Sequence, residues 1–175
     1  MVFKGVMDVL TSKSEGIARI WVRKVRKAGN LKTYNSMSDD QLLEINVKVY
    51  KMLALWFEKE ADKNKIGSFF VDLGKERRGQ GFGVSEVAYA ILLAQRSVLE
   101  YITNESMLDS SMALYNIVDI TNQATDFFFL GSYYMMKGFL EDTYLALSRE
   151  EAIPEEVLKR YFKDEFFFKD SGRIL

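Results

Sequence analysis

Residues 66–104 read IGSFFVDLGKERRGQGFGVSEVAYAILLAQRSVLEYITN and carry two helical patterns that meet at a corner. Both patterns repeat apolar residues at the three- and four-residue steps of a helix with one buried face. The first pattern places on one face Ile66, Phe69, Phe70, Leu73 and Arg77. The second places on one face Val84, Val87, Ile91, Ala94, Val98 and Tyr101. Gly81 suits the left-handed residue that ends a helix, and Gly83 lets the next helix begin at once.

The corner also contains a recognisable motif, Phe-x-x-x-Leu-Gly-Lys-Glu-Arg-x-x-Gln-Gly-Phe, followed by an apolar helix with Leu-Leu-x-x-Arg-x-x-Leu. Its positions in this chain are Phe69, Leu73, Gly74, Lys75, Glu76, Arg77, Gln80, Gly81 and Phe82, then Leu92, Leu93, Arg96 and Leu99. This motif resembles the amino-terminal domain of the RsbT co-antagonist (RsbRD-type) proteins. Gly83 stands where that family usually has a proline, and the helix order extends the resemblance over about residues 14–147.

The resemblance implies a sensory or interaction module. In the resembling family, this domain precedes a STAS output domain or a kinase core and passes a signal to a partner-switching or phosphorelay system. A STAS or kinase partner is therefore implied here too. Because neither output domain has room after residue 150, we expect a freestanding member or an excised input domain.

Arg77, Gln80 and Phe82 are candidate site residues because they belong to the motif, together with Phe69, Gly74 and Gly81. A structural use of the corner is favoured. Arg77 lies one turn after Leu73 near a helix end, where its guanidinium can bond the carbonyl groups left open.

Composition limits the possible chemistry. The 175 residues suffice for one self-supporting domain, and 48% of them are hydrophobic. Lys plus Arg number 24 against 25 acidic residues, a net charge of -1, so no global field favours nucleic acid. The chain has no histidine and no cysteine, which excludes histidine-held haem, thiolate zinc sites and histidine-based nucleophilic catalysis. We expect no cofactor and no enzymatic activity. A carboxylate pair, Asp119 with Asp126 or Glu76, remains, and surface solvation is its favoured use.

No segment looks suited to a membrane. Lys4 and Asp8 interrupt the apolar start, and the most apolar stretch, Phe127 to Leu140, is too short to cross a bilayer and contains Lys137. These features predict a cytoplasmic protein without membrane insertion.

The whole pattern predicts an all-α fold, a bundle of about five or six helices with one long helix in its C-terminal half. We expect a single domain over residues 1–175, with a core at about 14–147 and a terminal helix at about 154–168. A docking helix is expected at 2–10 and a loop at 30–37. Ser38 and Gln41 form the capping box of the best helix start.

The helix predicted from Met112 to Leu147 carries the second candidate site. Small residues seven apart allow another helix to approach closely, and five aromatic residues surround the helix axis. The helix is therefore either central in the bundle or in contact with a ligand or a second chain. The candidate dimer or ligand surface consists of Ala124, Phe127, Phe128, Gly131, Tyr134 and Gly138.

Three functions follow from these patterns. The preferred one is a non-enzymatic signal-input module that forms a homodimer, and the alternative is a carrier of an apolar small molecule held between helices. A nucleic-acid binder that uses the basic stripe Arg19–Lys27 is a third, less favoured interpretation, since a solvated helix face explains the stripe.

Overall fold

The computed structural model describes residues 14–105, 111–150 and 152–162, and this part of the chain contains helices and no strand. Its seven helices are α1 (Ser14–Lys27), α2 (Lys32–Asn35), α3 (Asp39–Phe57), α4 (Lys63–Gly79), α5 (Val84–Glu105), α6 (Ser111–Leu147) and α7 (Glu155–Tyr161). The all-α bundle and its long helix are confirmed. The expected number of helices is exceeded by α2, a single turn in the segment predicted as a loop. The docking helix at 2–10 and the end of the terminal helix beyond residue 162 lie outside the described residues.

Local sequence signals place the helix ends. Ser38 accepts a hydrogen bond from the backbone N–H of Gln41, whose side chain accepts one from the Ser38 N–H, so the predicted capping box is confirmed. Asp62 caps α4 by accepting from the N–H of Lys65 at 2.8 Å. Such caps satisfy backbone donors that have no partner inside the helix.

α4 and α6 form the most extensive helix pair, and glycines allow their close approach. An ideal Cβ at Gly138 would lie 2.1 Å from the carbonyl oxygen of Val71, and one at Gly74 would lie 2.1 Å from that of Met135. Only a residue without a side chain fits at either position. The two helices therefore meet backbone to backbone, each through a glycine.

α5 joins this pair to the other half of the bundle. Across α5, the indole N–H of Trp21 donates to the carbonyl oxygen of Ala90, and the Tyr50 hydroxyl donates to that of Ala94. These bonds tie α1 and α3 to α5, whose other side contacts α6. The apolar side chains of α1 and α3, of α5, and of the α4–α6 pair form one continuous core.

The burial of side chains along α3 differs between its sides. α3 buries Tyr50, Leu53 and Phe57, whereas Met52 and Trp56 are half-buried. In the described part of the chain, no helix is both long enough and apolar enough to cross a membrane.

Candidate functional site

The corner between α4 and α5 is closed by two backbone hydrogen bonds. The N–H of Gly81 donates to the carbonyl of Arg78, and that of Phe82 donates to the carbonyl of Arg77, each at 3.0 Å. This pair of bonds is the Schellman motif, which requires a left-handed residue after the helix. Gly81 has a φ of 83°, so the predicted left-handed residue is confirmed.

Glu86 ties the beginning of α5 to α2. Its carboxylate accepts hydrogen bonds from the Thr33 N–H at 2.9 Å, the Thr33 hydroxyl at 2.7 Å and the Gly83 N–H at 3.3 Å. Burial alone would raise the pKa of Glu86, but these hydrogen bonds outweigh it and hold the pKa below the usual range. Glu86 thereby fixes α2 against the corner.

Arg77 is the buried cation of the corner, with 3% of its side chain exposed. Its guanidinium donates to the side-chain oxygens of Gln80 at 2.5 Å and Glu76 at 3.1 Å, and lies 5.4 Å from the ring centroid of Phe82. The expected bond to open carbonyls at the helix end is replaced by these side-chain contacts. The reason is local, since the carbonyls of Arg77 and Arg78 already accept the two bonds of the turn.

Tyr34 of α2 closes the corner from the other side. Its ring lies edge-on between Phe82, at 4.6 Å between centroids, and Trp21, at 5.9 Å. Burial raises the pKa of Tyr34 to about 12, although the neighbouring Arg77 acts in the opposite direction. Sequence reasoning did not single out this residue, because an isolated tyrosine in a predicted loop carries no periodic signal.

A cleft of about 190 Å³ opens beside Arg77 between α3 and α4. It is lined by Ile45, Lys48, Phe69, Asp72, Leu73, Glu76 and Arg77. Phe69, Leu73, Glu76 and Arg77 all belong to the motif, and they are brought together because they recur along one side of α4. The cleft thus combines an apolar floor with charged groups of both signs.

The carboxylates of the cleft can accept hydrogen bonds or pair with a cation. Asp72 and Glu76 lie one turn apart on α4, and Glu76 accepts hydrogen bonds from Arg77 and Gln80. Asp119 and Asp126, the other candidates for a carboxylate pair, belong to α6, where Asp119 accepts from Gln123. Glu76 therefore lies on a different helix from Asp119 and Asp126, and Glu76 and Asp119 each accept hydrogen bonds from side chains of their own helix or its end.

A narrower void of about 20 Å³ lies behind the cleft, and the two share Ile45, Leu73 and Arg77. Asn46, which lines the void, is 2% exposed, and its Oδ1 has no hydrogen-bond partner among the residues that the structure describes. Sequence reasoning missed Asn46. The available signal was its place within the apolar spacing of α3, next to Ile45 and one turn before Val49 and Tyr50.

The structure corrects the interpretation of the α6 candidates as an accessible surface. Five of them face the interior, and Gly138 meets the backbone of α4 directly. An ideal Cβ at Gly131 would lie 2.5 Å from the Phe70 ring, which packs edge-on against Phe127 at 5.4 Å. The close helix approach predicted from the small residues is thus made by α4 of the same chain. The interior members, with the exposed fractions of their side chains, are Ala124 (0%), Phe127 (0%), Phe128 (1%) and Tyr134 (3%), together with the buried Gly131.

The exposed line of α6 consists of neighbouring side chains. Phe129 is 80% exposed, Tyr133 45% and Met136 44%. Their spacing of four and three residues puts them on one side of the helix. Of the five aromatic residues around the axis of α6, Phe127, Phe128 and Tyr134 are buried, whereas Phe129 and Tyr133 are exposed. They face more than one surface, as their arrangement in the sequence predicted.

Comparison of the chain with protein-family models, with curated proteins and with solved structures finds no match. The resemblance of the corner motif to the RsbT co-antagonist domain accordingly stays a prediction.

Proposed function

We propose that this chain is a non-enzymatic signal-input module whose recognition site is the cleft beside Arg77. The observation that carries the proposal is the convergence of Phe69, Leu73, Glu76 and Arg77 on this cleft. The same residues carry the resemblance to the stress-signalling co-antagonists. The expected partner is a STAS-domain protein or a signalling kinase in the cytoplasm.

The packing around α4 offers a route from the cleft to the rest of the chain. A molecule bound between α3 and α4 presses on α4, and α4 meets α6 backbone to backbone. At the same end of the pair, Lys75 is 2.8 Å from the carboxylate of Glu141, and Arg78 is 3.5 Å from that of Asp142. A displacement of α4 is therefore transmitted to α6, as in shifts of packed helices in known switches.

The carrier alternative has less support. The aromatic side chains that suggested it fill the space between helices, since the rings of Phe127 and Phe128 lie 5.1 Å apart and Phe70 packs against Phe127. Self-association stays part of the proposal, and the exposed line Phe129, Tyr133 and Met136 is the side of α6 that it would use. Two such faces would bring apolar side chains together, as symmetric dimers do.

Titration of the chain with STAS-domain proteins and signalling kinases encoded in the same genome tests the proposal. Lys48→Glu reverses a charge at the cleft, and we expect it to weaken partner binding about tenfold or more. Lys159→Glu is the matched control, because both lysines are equally exposed and each pairs with a glutamate four residues earlier. Equal losses in the two variants, or no binding of any such partner at about 100 μM, would contradict the proposal.

A further inference from the structure

Two residues that line the void behind the cleft each have a buried polar atom without a hydrogen-bond partner in the described part of the chain. The Nε–H of Arg77 is a donor and the Oδ1 of Asn46 is an acceptor, and neither makes a hydrogen bond within the described residues. Arg77 is 3% exposed and Asn46 is 2% exposed, so bulk solvent does not reach them freely. Because buried polar groups are nearly always hydrogen-bonded, this pair indicates an additional molecule at the site.

The void lies between the polar network of the corner and the polar side chain of Asn46. On one side, Arg77 is bonded to Glu76 and Gln80 at the corner. On the other, Asn46 of α3 lies one turn before Tyr50, whose hydroxyl donates to the carbonyl oxygen of Ala94 in α5. Arg77, with an unpaired donor, and Asn46, with an unpaired acceptor, thus line the same space within the described residues.

The size of the void decides the class of ligand. Its volume is about 20 Å³, which exceeds the roughly 10–15 Å³ that one water needs. The rest of the lining is mainly apolar and includes Trp21, Val49 and Ile91. A single water fits in this space, and an organic molecule does not.

We propose that the void is a binding site for one water molecule, which accepts a hydrogen bond from Arg77 Nε–H and donates one to Asn46 Oδ1. This water joins the corner network to α3 through the core. It goes beyond the proposed function, because its presence depends on Asn46 and Arg77 and not on a partner in the cleft.

The test observes the water directly in the folded protein. In ¹⁵N-labelled wild type, Arg77 Nε–H should show a water cross-peak with the sign of a long-lived complex. Oxygen-17 relaxation dispersion should lose the amplitude of one internal water in Asn46→Leu, which removes the acceptor and fills the void. Tyr50→Phe is the control, because it removes a buried hydroxyl of α3 that does not line the void, and it should retain the full amplitude.

Several outcomes overturn the proposal. They are an absent cross-peak in wild type, an unchanged amplitude in Asn46→Leu, or an equal loss in Tyr50→Phe. Should Asn46→Leu fail to fold, a high-resolution crystal structure of wild type decides the question. One spherical density peak within hydrogen-bond distance of both atoms supports the proposal, while an empty void or the extended density of an organic molecule contradicts it.

Discussion

The two sides of α4 are built in opposite ways. Toward α6, Gly74 lets the backbones touch, and no side chain intervenes. Toward α3, Leu73 and Arg77 border a cleft and a void, and two of the residues that line the void have buried polar atoms without a partner in the described part of the chain. Dense backbone packing makes the first side resistant to change, because even a methyl group has no room there. One helix can therefore be fixed firmly to its neighbour and still present an adaptable surface on its other side.

The largest expected effect concerns the side of α4 that contacts α6. Gly138→Ala places a methyl group against the carbonyl of Val71, so we expect unfolding to become easier by about 3 kcal/mol. Gly16→Ala is the control, because an ideal Cβ at this exposed position in α1 meets nothing within 4 Å. That variant should gain about 0.5–1 kcal/mol. Urea unfolding measures both, and equal midpoints would show that α4 and α6 are not in backbone contact.

The second prediction concerns alkaline stability at the corner. Burial raises the pKa of Tyr34 from 10.0 to about 12, so the unfolded chain releases this proton at a lower pH than the native one. The stabilisation is complete below pH 10 and is lost as pH rises to about 12, a change of about 2 to 3 kcal/mol. Tyr34→Phe should flatten the decline, and the remaining slope belongs partly to Tyr50, whose pKa burial also raises.

Urea midpoints recorded between pH 9 and 12 provide the measurement. Tyr161→Phe serves as the matched control, because Tyr161 is 76% exposed on α7 and its hydroxyl should leave the curve unchanged. A Tyr34→Phe curve parallel to wild type would mean that the corner is open to water.

The third prediction concerns Glu86, which fixes α2 to the corner. Glu86→Gln removes the carboxylate that accepts from Thr33 and Gly83, so we expect a loss of about 1–2 kcal/mol at pH 7. Since the folded pKa lies below the unfolded one, this stabilisation is present above the unfolded pKa and disappears as pH falls through the folded one. The difference from wild type should therefore shrink in acid. Glu155→Gln on the exposed side of α7 is the control, and a constant difference across pH would contradict the expectation.

The smallest effect on stability tests the exposed line of α6. Phe129→Ser should change stability by less than about 0.5 kcal/mol, because Phe129 is 80% exposed, yet it should lower the dimer fraction. Light scattering after size exclusion measures that fraction, with Tyr161→Ser as the exposed aromatic control. A wild type that stays monomeric at about 100 μM would remove the dimer from the proposal. Gly131→Leu is unsuitable for this test, because Gly131 faces Phe70 inside the chain.

Local patterns predicted much of the fold and part of the site. The corner at Gly81, the capping box at Ser38 and the long α6 each depend on neighbours within a few residues, and all three are confirmed. Of the residues that line the cleft, Phe69 and Arg77 were candidates because they belong to the motif that resembles the co-antagonist domain. Asn46 and Tyr34 were missed, because their roles arise from residues distant in the chain.

The sequence by itself determined which residues form helices, where those helices end and which positions need a small side chain, because capping, turn chemistry and periodicity act over one or two turns. Only the tertiary structure decided which helix occupies each close approach. The small residues of α6 predicted a neighbour, and that neighbour proved to be α4, placed by the matching glycine Gly74. The void between Arg77 and Asn46 is likewise a product of assembly, since it exists only where side chains from several helices fail to fill the space between them.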